Sequence, residues 1–236
     1  MSGGWSAFGV ALAAHPVSGL FADMDRDLKI WDISQPLRPS LPVWPGDTAF
    51  ESRRRWSIGA DGPVNVSAFT ASTHSGAHAD APLHYDAEGA AIEAVALEPY
   101  LGCCLLVDAR GRAPLIDRAF VEAAVPAGTR RVLFRTYERF PHAGWDEGFT
   151  AIDAGAIEAL AARGVILIGL DSPSLDPQES KTLDAHHAVR RADMRVLEGL
   201  VLDAPPPGAY ELIALPLPLE GLDASPVRAV LRALPR

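Results

Sequence analysis

Between residues 74 and 84 the chain reads His74-Ser75-Gly76-Ala77-His78-Ala79-Asp80-Ala81-Pro82-Leu83-His84, which holds three of its seven histidines and an aspartate. Even scatter would place about 0.3 histidine in such a window. Imidazole and carboxylate are the common donors for zinc and other borderline divalent ions. The concentration is therefore a chemical signal, and it demands a fold that turns these side chains toward one point. His74 and His78 are four apart, as on one helical face, but Gly76 between them and Pro82 beyond suit a helix interior poorly. The H-E-x-x-H signature is absent as well, because Ser75 and Gly76 follow His74. The segment reads instead as an irregular turn, with Gly76 supplying backbone freedom. It leaves a strand over 64–70 whose apolar residues alternate in the two-residue period of a half-buried strand.

A second group of donors follows at Asp184-Ala185-His186-His187, and then Glu198. A metal site needs at least three protein ligands, and a two-metal site about twice that with a bridging carboxylate. Glu198 and one of His186 and His187 would complete such a pair of sites; spacing does not choose between the two histidines.

The rest of the chain sets the frame. Strands are expected over 28–33, 103–107, 131–135, 165–170, 196–202 and 211–217, and helices over 116–125 and 152–163. The second helix carries Thr150 and Asp153 at capping-box spacing and Gly164 as a stop. Few helices beside many strands predict an α/β fold: a single compact domain over 27–236 with a central, mostly β core, preceded by a flexible N-terminal extension over 1–26. That extension contains an apolar piece over 7–14 but neither the basic leader nor the cleavage site of a secretory signal. No apolar run approaches the ~20 residues of a membrane span. A net charge of −9 argues against nucleic acid as a partner. The two cysteines, Cys103 and Cys104, are adjacent in an apolar strand, so no long-range disulfide is available; they read as small core residues and fit a reducing, cytoplasmic compartment. No G-x-S-x-G elbow supports a serine nucleophile, since Ser172 follows Gly169-Leu170-Asp171 at the wrong spacing.

The segment 74–84 resembles the H-x-G-[TA]-H-x-D-x-P-x-H motif of the cyclase-like metal-dependent hydrolases. Ala77, where threonine is usual, resembles the bacterial kynurenine formamidase branch of that family. The likeness runs over 28–217 and takes in Trp31-Asp32-Ile33-Ser34, Pro42-Val43-Trp44-Pro45-Gly46-Asp47, Asp171-Ser172-Pro173-Ser174 and Leu197-Glu198-Gly199. It implies the cyclase-like, swivelling β/β/α fold, and a homodimer. It also implies His74, His78 and Asp80 as metal ligands, with His186 and Glu198 completing a site for two Zn2+ per subunit (Mn2+ being the alternative). His84 would be the proton donor and acceptor, and Trp44 would touch an aromatic substrate, although a tryptophan among prolines also serves simply to cap a core. The implied reaction is hydrolysis of N-formyl-L-kynurenine to L-kynurenine and formate in tryptophan degradation. Two rivals stand beside it: an amidohydrolase of the same family opening the cyclic amide of isatin, and a metal-binding dimer without catalysis. His84, just beyond the ligands, favours an enzyme.

Overall fold

The computed structural model describes residues 28–59 and 61–235, so the expected extension over 1–26 lies outside the described residues. The chain begins with β1 (Ile30–Asp32), β2 (Glu51–Trp56), β3 (Val66–Thr70) and β4 (His78–Asp80). It continues through β5 (Leu101–Asp108), β6 (Leu115–Ile116), α1 (Arg118–Ala124), β7 (Arg131–Arg135), β8 (Ala151–Ile152), α2 (Ala154–Ala162) and β9 (Leu167–Leu170). The last elements are α3 (Asp184–Arg191), β10 (Arg195–Glu198), β11 (Gly208–Ile213), β12 (Ala224–Pro226) and β13 (Val230–Ala233).

Nine of these strands make one mixed sheet in the order β1-β13-β11-β5-β7-β9-β10-β4-β12. Its middle, β5-β7-β9-β10, is parallel, and each crossover carries one helix, the connection that parallel neighbours require. Strands buried on both faces read as unbroken apolar runs, as Val132-Leu133-Phe134 does. Their side chains alternate between two cores. Val107, Val132, Phe134, Ile168 and Val196 meet Val121, Ile157, Leu160 and Val189 of the helices. Leu106, Leu133, Leu167 and Leu197 point the other way, to Tyr100, Leu200, Leu212 and Leu231. The α/β class, with one domain built on a largely β core and three helices among the described residues, is the architecture expected from the sequence. None of these helices is long and apolar enough to cross a membrane.

Local departures from the expected elements have physical causes. The strand over 64–70 does not have a buried face: β3 pairs only with β2 in a two-stranded ribbon, and Phe69 is 66% exposed, stacked on Phe50. The expected helix over 152–163 starts later, because Ala151 and Ile152 pair with β6 as β8. Its cap is Asp153 itself, accepting from the Gly155 N–H, so the Thr150–Asp153 capping box does not form. Likewise Ile116 belongs to β6, and α1 follows Asp117, which accepts from the Phe120 N–H at 2.7 Å. The cysteines divide by strand alternation, Cys104 buried and Cys103 exposed. Strand β10 stops at Glu198 because Gly199 takes φ +63°.

Candidate metal centre and active site

The centre is assembled on β4, which lies between β10 and β12. Only three residues long, β4 presents His78 and Asp80 on one face and sends the fully buried Ala79 to the opposite core. Antiparallel register sets His78 against Glu198, and Asp80 against Val196 of the helix-covered face. His186 comes down onto that face from the first turn of α3. The turn before β4 brings back His74, and its Gly76 (φ +69°) packs so closely on Gly199 that a Cβ there would lie 2.5 Å from the Gly76 carbonyl oxygen.

His78 Nε2 lies 3.4 Å from both Asp80 Oδ1 and Glu198 Oε2. His186 Nε2 lies 3.5 Å from Asp80 Oδ2 and 3.4 Å from Glu198 Oε1, and His74 Nδ1 is 3.1 Å from Asp80 Oδ1. His78, Asp80, His186 and Glu198 are all buried. Yet His78 Nε2, His186 Nε2 and both Asp80 oxygens have no hydrogen-bond partner among the described residues, a condition that buried polar atoms avoid. Nitrogen and oxygen donors aimed at common points, with nothing of their own to bind, fit a divalent ion. Three trios of donors arise among the described residues: His74-His78-Asp80 and Asp80-His186-Glu198, which share Asp80, and the more exposed His74-His84-Asp223.

The far side of each imidazole is fastened. His78 Nδ1 donates to the Gly76 carbonyl at 2.9 Å, and His186 Nδ1 to Asp176 Oδ2 at 2.6 Å. His74 Nε2 faces Asp223 Oδ2 at 3.1 Å. Such outer partners fix tautomer and ring orientation. Asp176 also accepts from the backbone N–H groups of Ala185 and His186, which caps α3 where its own N-cap residue, Leu183, offers no side-chain bond. Electrostatics follow from this crowding. Burial alone would depress the imidazolium of His74, but Asp223 and Asp80 outweigh it and raise its pKa to about 10. Against the same desolvation, His186 is held well above its ordinary range by Asp176, Asp80 and Glu198. Burial pushes Asp80 upward, yet His186 and His74 hold it well below the usual carboxylate range.

Above the centre opens a cavity of about 380 Å3, its wall formed by Trp44, Tyr137, Phe140 and Trp145. Trp44 packs edge-on against Trp145, with ring centroids 5.3 Å apart, and the Trp145 indole donates to Gln178 at 2.6 Å. His84 borders the cavity from the single-turn helix Pro82–His84, its ring 4.2 Å from that of His74.

The structure thus brings together His74, His78, Asp80, His186 and Glu198, places His84 and Trp44 on the cavity above them, and leaves His187 exposed on the outer side of α3. Three flanking acids were given no role from the sequence, although Asp171 falls in the resemblance. Asp176 and Asp223 fasten imidazoles, and Asp171, at the carboxyl end of β9, lines the cavity while accepting from the Thr136 and Tyr137 N–H groups. None stands at a telling spacing; only a donor near His186 in space, needed to orient it, would have pointed to Asp176.

Comparison with known proteins agrees with this geometry. The model of the Cyclase family ("Putative cyclase") matches residues 31–177. A kynurenine formamidase of Maricaulis maris (strain MCS10) is 61% identical over 207 residues, covering 88% of this chain and 99% of that protein. A solved "potential metal-dependent hydrolase with cyclase activity" has a TM-score of 0.76 at 27% identity, covering 89% of this chain and all (100%) of its own. Isatin hydrolase A from Ralstonia solanacearum has a TM-score of 0.79 at 24% identity, with 96% and 100% covered, and shares the fold. With the matched span holding the 74–84 turn, β4 and Asp176, the chain belongs to the Cyclase family.

Proposed function

We propose that this chain is a metal-dependent amidohydrolase that cleaves N-formyl-L-kynurenine to L-kynurenine and formate. The observation that carries the reading is the pair of donor trios sharing Asp80 beneath an aromatic-walled cavity, together with the high identity to a kynurenine formamidase. His74, His78 and Asp80 would hold one ion, and Asp80, His186 and Glu198 would hold the other. Zinc suits this mixed imidazole and carboxylate set, with manganese as the alternative. Such ions, when bound, supply Lewis-acid polarisation of a carbonyl and acidify water toward pKa ~7.

The chain's own residues do the rest. Trp44 and Trp145 wall the arylamine and keep bulk water from the formyl group. As water oxygen joins the formyl carbon, His84 accepts the proton released. It returns that proton to the amide nitrogen as the C–N bond breaks and its electron pair moves to nitrogen. Loss of the arylamine as a free anion would be very costly, so a general acid is required there, and imidazole is suited to it near neutral pH.

Assembly as a homodimer is supported by the β2–β3 ribbon, which leaves Trp56 (55%) and Phe69 (66%) exposed on the same two strands as the consecutive arginines Arg53, Arg54 and Arg55. Free thiols at Cys103 and Cys104 accord with a cytoplasmic setting. The test is metal content per chain with formate release measured on formylkynurenine, and isatin assayed alongside. Efficient formate release that chelator abolishes is expected; higher efficiency on isatin overturns the substrate.

A further inference from the structure

We propose that Asp223 is the positioning residue for His84: one of its carboxylate oxygens, which also meets His74, sets the tautomer and aim of the acid. The inference rests on the role assigned to His84 above.

Asp223 lies just ahead of β12, tied to β4 through its carbonyl, which accepts from the Ala81 N–H at 2.9 Å. Its Oδ1 accepts from the Thr73 hydroxyl at 3.0 Å. Both anchors leave Oδ2 facing two imidazoles: His74 Nε2 at 3.1 Å and His84 Nδ1 at 3.3 Å. A carboxylate oxygen accepts, so both facing nitrogens carry hydrogen. That leaves His74 Nδ1 free toward Asp80 and His84 Nε2 free for the substrate nitrogen.

The need for such a clamp is plain at His84. Its side chain is 34% exposed and stands on a single helical turn. Asp223 is its only side-chain hydrogen-bond partner among the described residues. The His74 and His84 rings are also only 4.2 Å apart, so one carboxylate oxygen reaches both. Asp223 does not line the cavity. Its removal should therefore change turnover and leave substrate binding alone.

The test uses the zinc-loaded full chain and the isosteric Asp223→Asn variant. Zinc content at saturating zinc should equal that of the wild type. On formylkynurenine, kcat should fall by about 10–100-fold, the usual loss for an outer partner of an active-site imidazole, while KM stays within about twofold. A series of ring-substituted formanilides gives a readout that a merely structural role would not move. The loss should be greatest for the poorest leaving anilines and shrink toward nitro-substituted ones, as in His84→Ala. Asp223→Asn added to His84→Ala should cost nothing further. Nitrogen NMR of the His84 ring should show the Nδ1–H tautomer in the wild type and a mixture in the variant, whatever the substrate. An equal loss across all formanilides, a full additional loss on top of His84→Ala, lost zinc or an unchanged tautomer would each overturn the proposal. Failure of the wild type to turn over formylkynurenine would instead overturn the proposed function, with the tautomer still deciding the role of Asp223.

Discussion

Glu198 faces His78 directly across the β4–β10 pair, and its two oxygens reach separately to His78 Nε2 and His186 Nε2, each at 3.4 Å. One carboxylate so joins β4 to α3, which also meet through Asp80 and His186. Asp80 has the more central place, because it belongs to two of the donor trios.

Substitutions at these two acids should therefore differ in stoichiometry. Asp80→Asn is expected to strip both ions and all formate release. Glu198→Gln, which leaves His74, His78 and Asp80 intact, is expected to retain one ion per chain and lose at least about 100-fold in kcat/KM. Elemental analysis of dialysed protein checks both; equal metal loss in the two variants contradicts the shared-carboxylate arrangement.

Metal removal has a proton signature. With the pKa of His74 raised from 6.5 to about 10 in the ion-free chain, its interaction with Asp223 and Asp80 stabilises that form fully below pH 6.5. The contribution is lost as pH rises through 10. A ligating imidazole must be neutral, so zinc uptake at pH 8 should release at least one proton and tighten with rising pH. Calorimetric titration of apo protein in buffers of different ionisation enthalpy would reveal it; the absence of proton release would be contrary to the expectation.

Asp171 gives a second pH effect, away from the ligands. Its burial raises the carboxyl pKa from 3.8 to about 6, against the opposing hydrogen bonds from Thr136 and Tyr137. An acid whose pKa rises on folding disfavours the fold once ionised, so stability is greatest below about pH 4 and falls as pH climbs through 6. The full span is worth about 3 kcal/mol at most. Asp171→Asn should flatten this slope, measured as the difference in urea midpoint between pH 4.5 and 7.

Gly199→Ala tests the backbone. A Cβ would meet the Gly76 oxygen at 2.5 Å at a residue of φ +63°, and a non-glycine residue in that conformation costs about 1–3 kcal/mol. The carbonyl it displaces is the one that orients His78. A lowered Tm accompanied by weaker zinc retention is expected, and a variant with wild-type metal affinity would show that Gly76 does not need to stay in place.

How much of this was legible in the sequence depended on how local the cause was. The apolar runs of β7 and β9 were readable because burial on both faces leaves no room for polar residues. The donor-rich turn at 74–84 was readable because five chemical requirements fell in one window. By contrast β4 is three residues long, and no periodicity shows in three residues; it is a strand only because β10 and β12 flank it. Helix α3 was missed because its buried positions are two alanines, a histidine and a valine, and its cap comes from Asp176 rather than a preceding Ser, Thr or Asp. The alternation in β3 was real but misleading, since no second layer among the described residues covers that ribbon.

The placement of β4 also governs when the enzyme can exist during its own synthesis. A strand made early, at residues 78–80, is enclosed by neighbours at 195–198 and 224–226, so its loop closures are long and come late. A nascent chain made only as far as residue 194 would hold His74, His78 and Asp80 with neither flanking strand to seat them. Ion capture is therefore bound to the last stage of folding, and partly made chains should show neither metal uptake nor turnover.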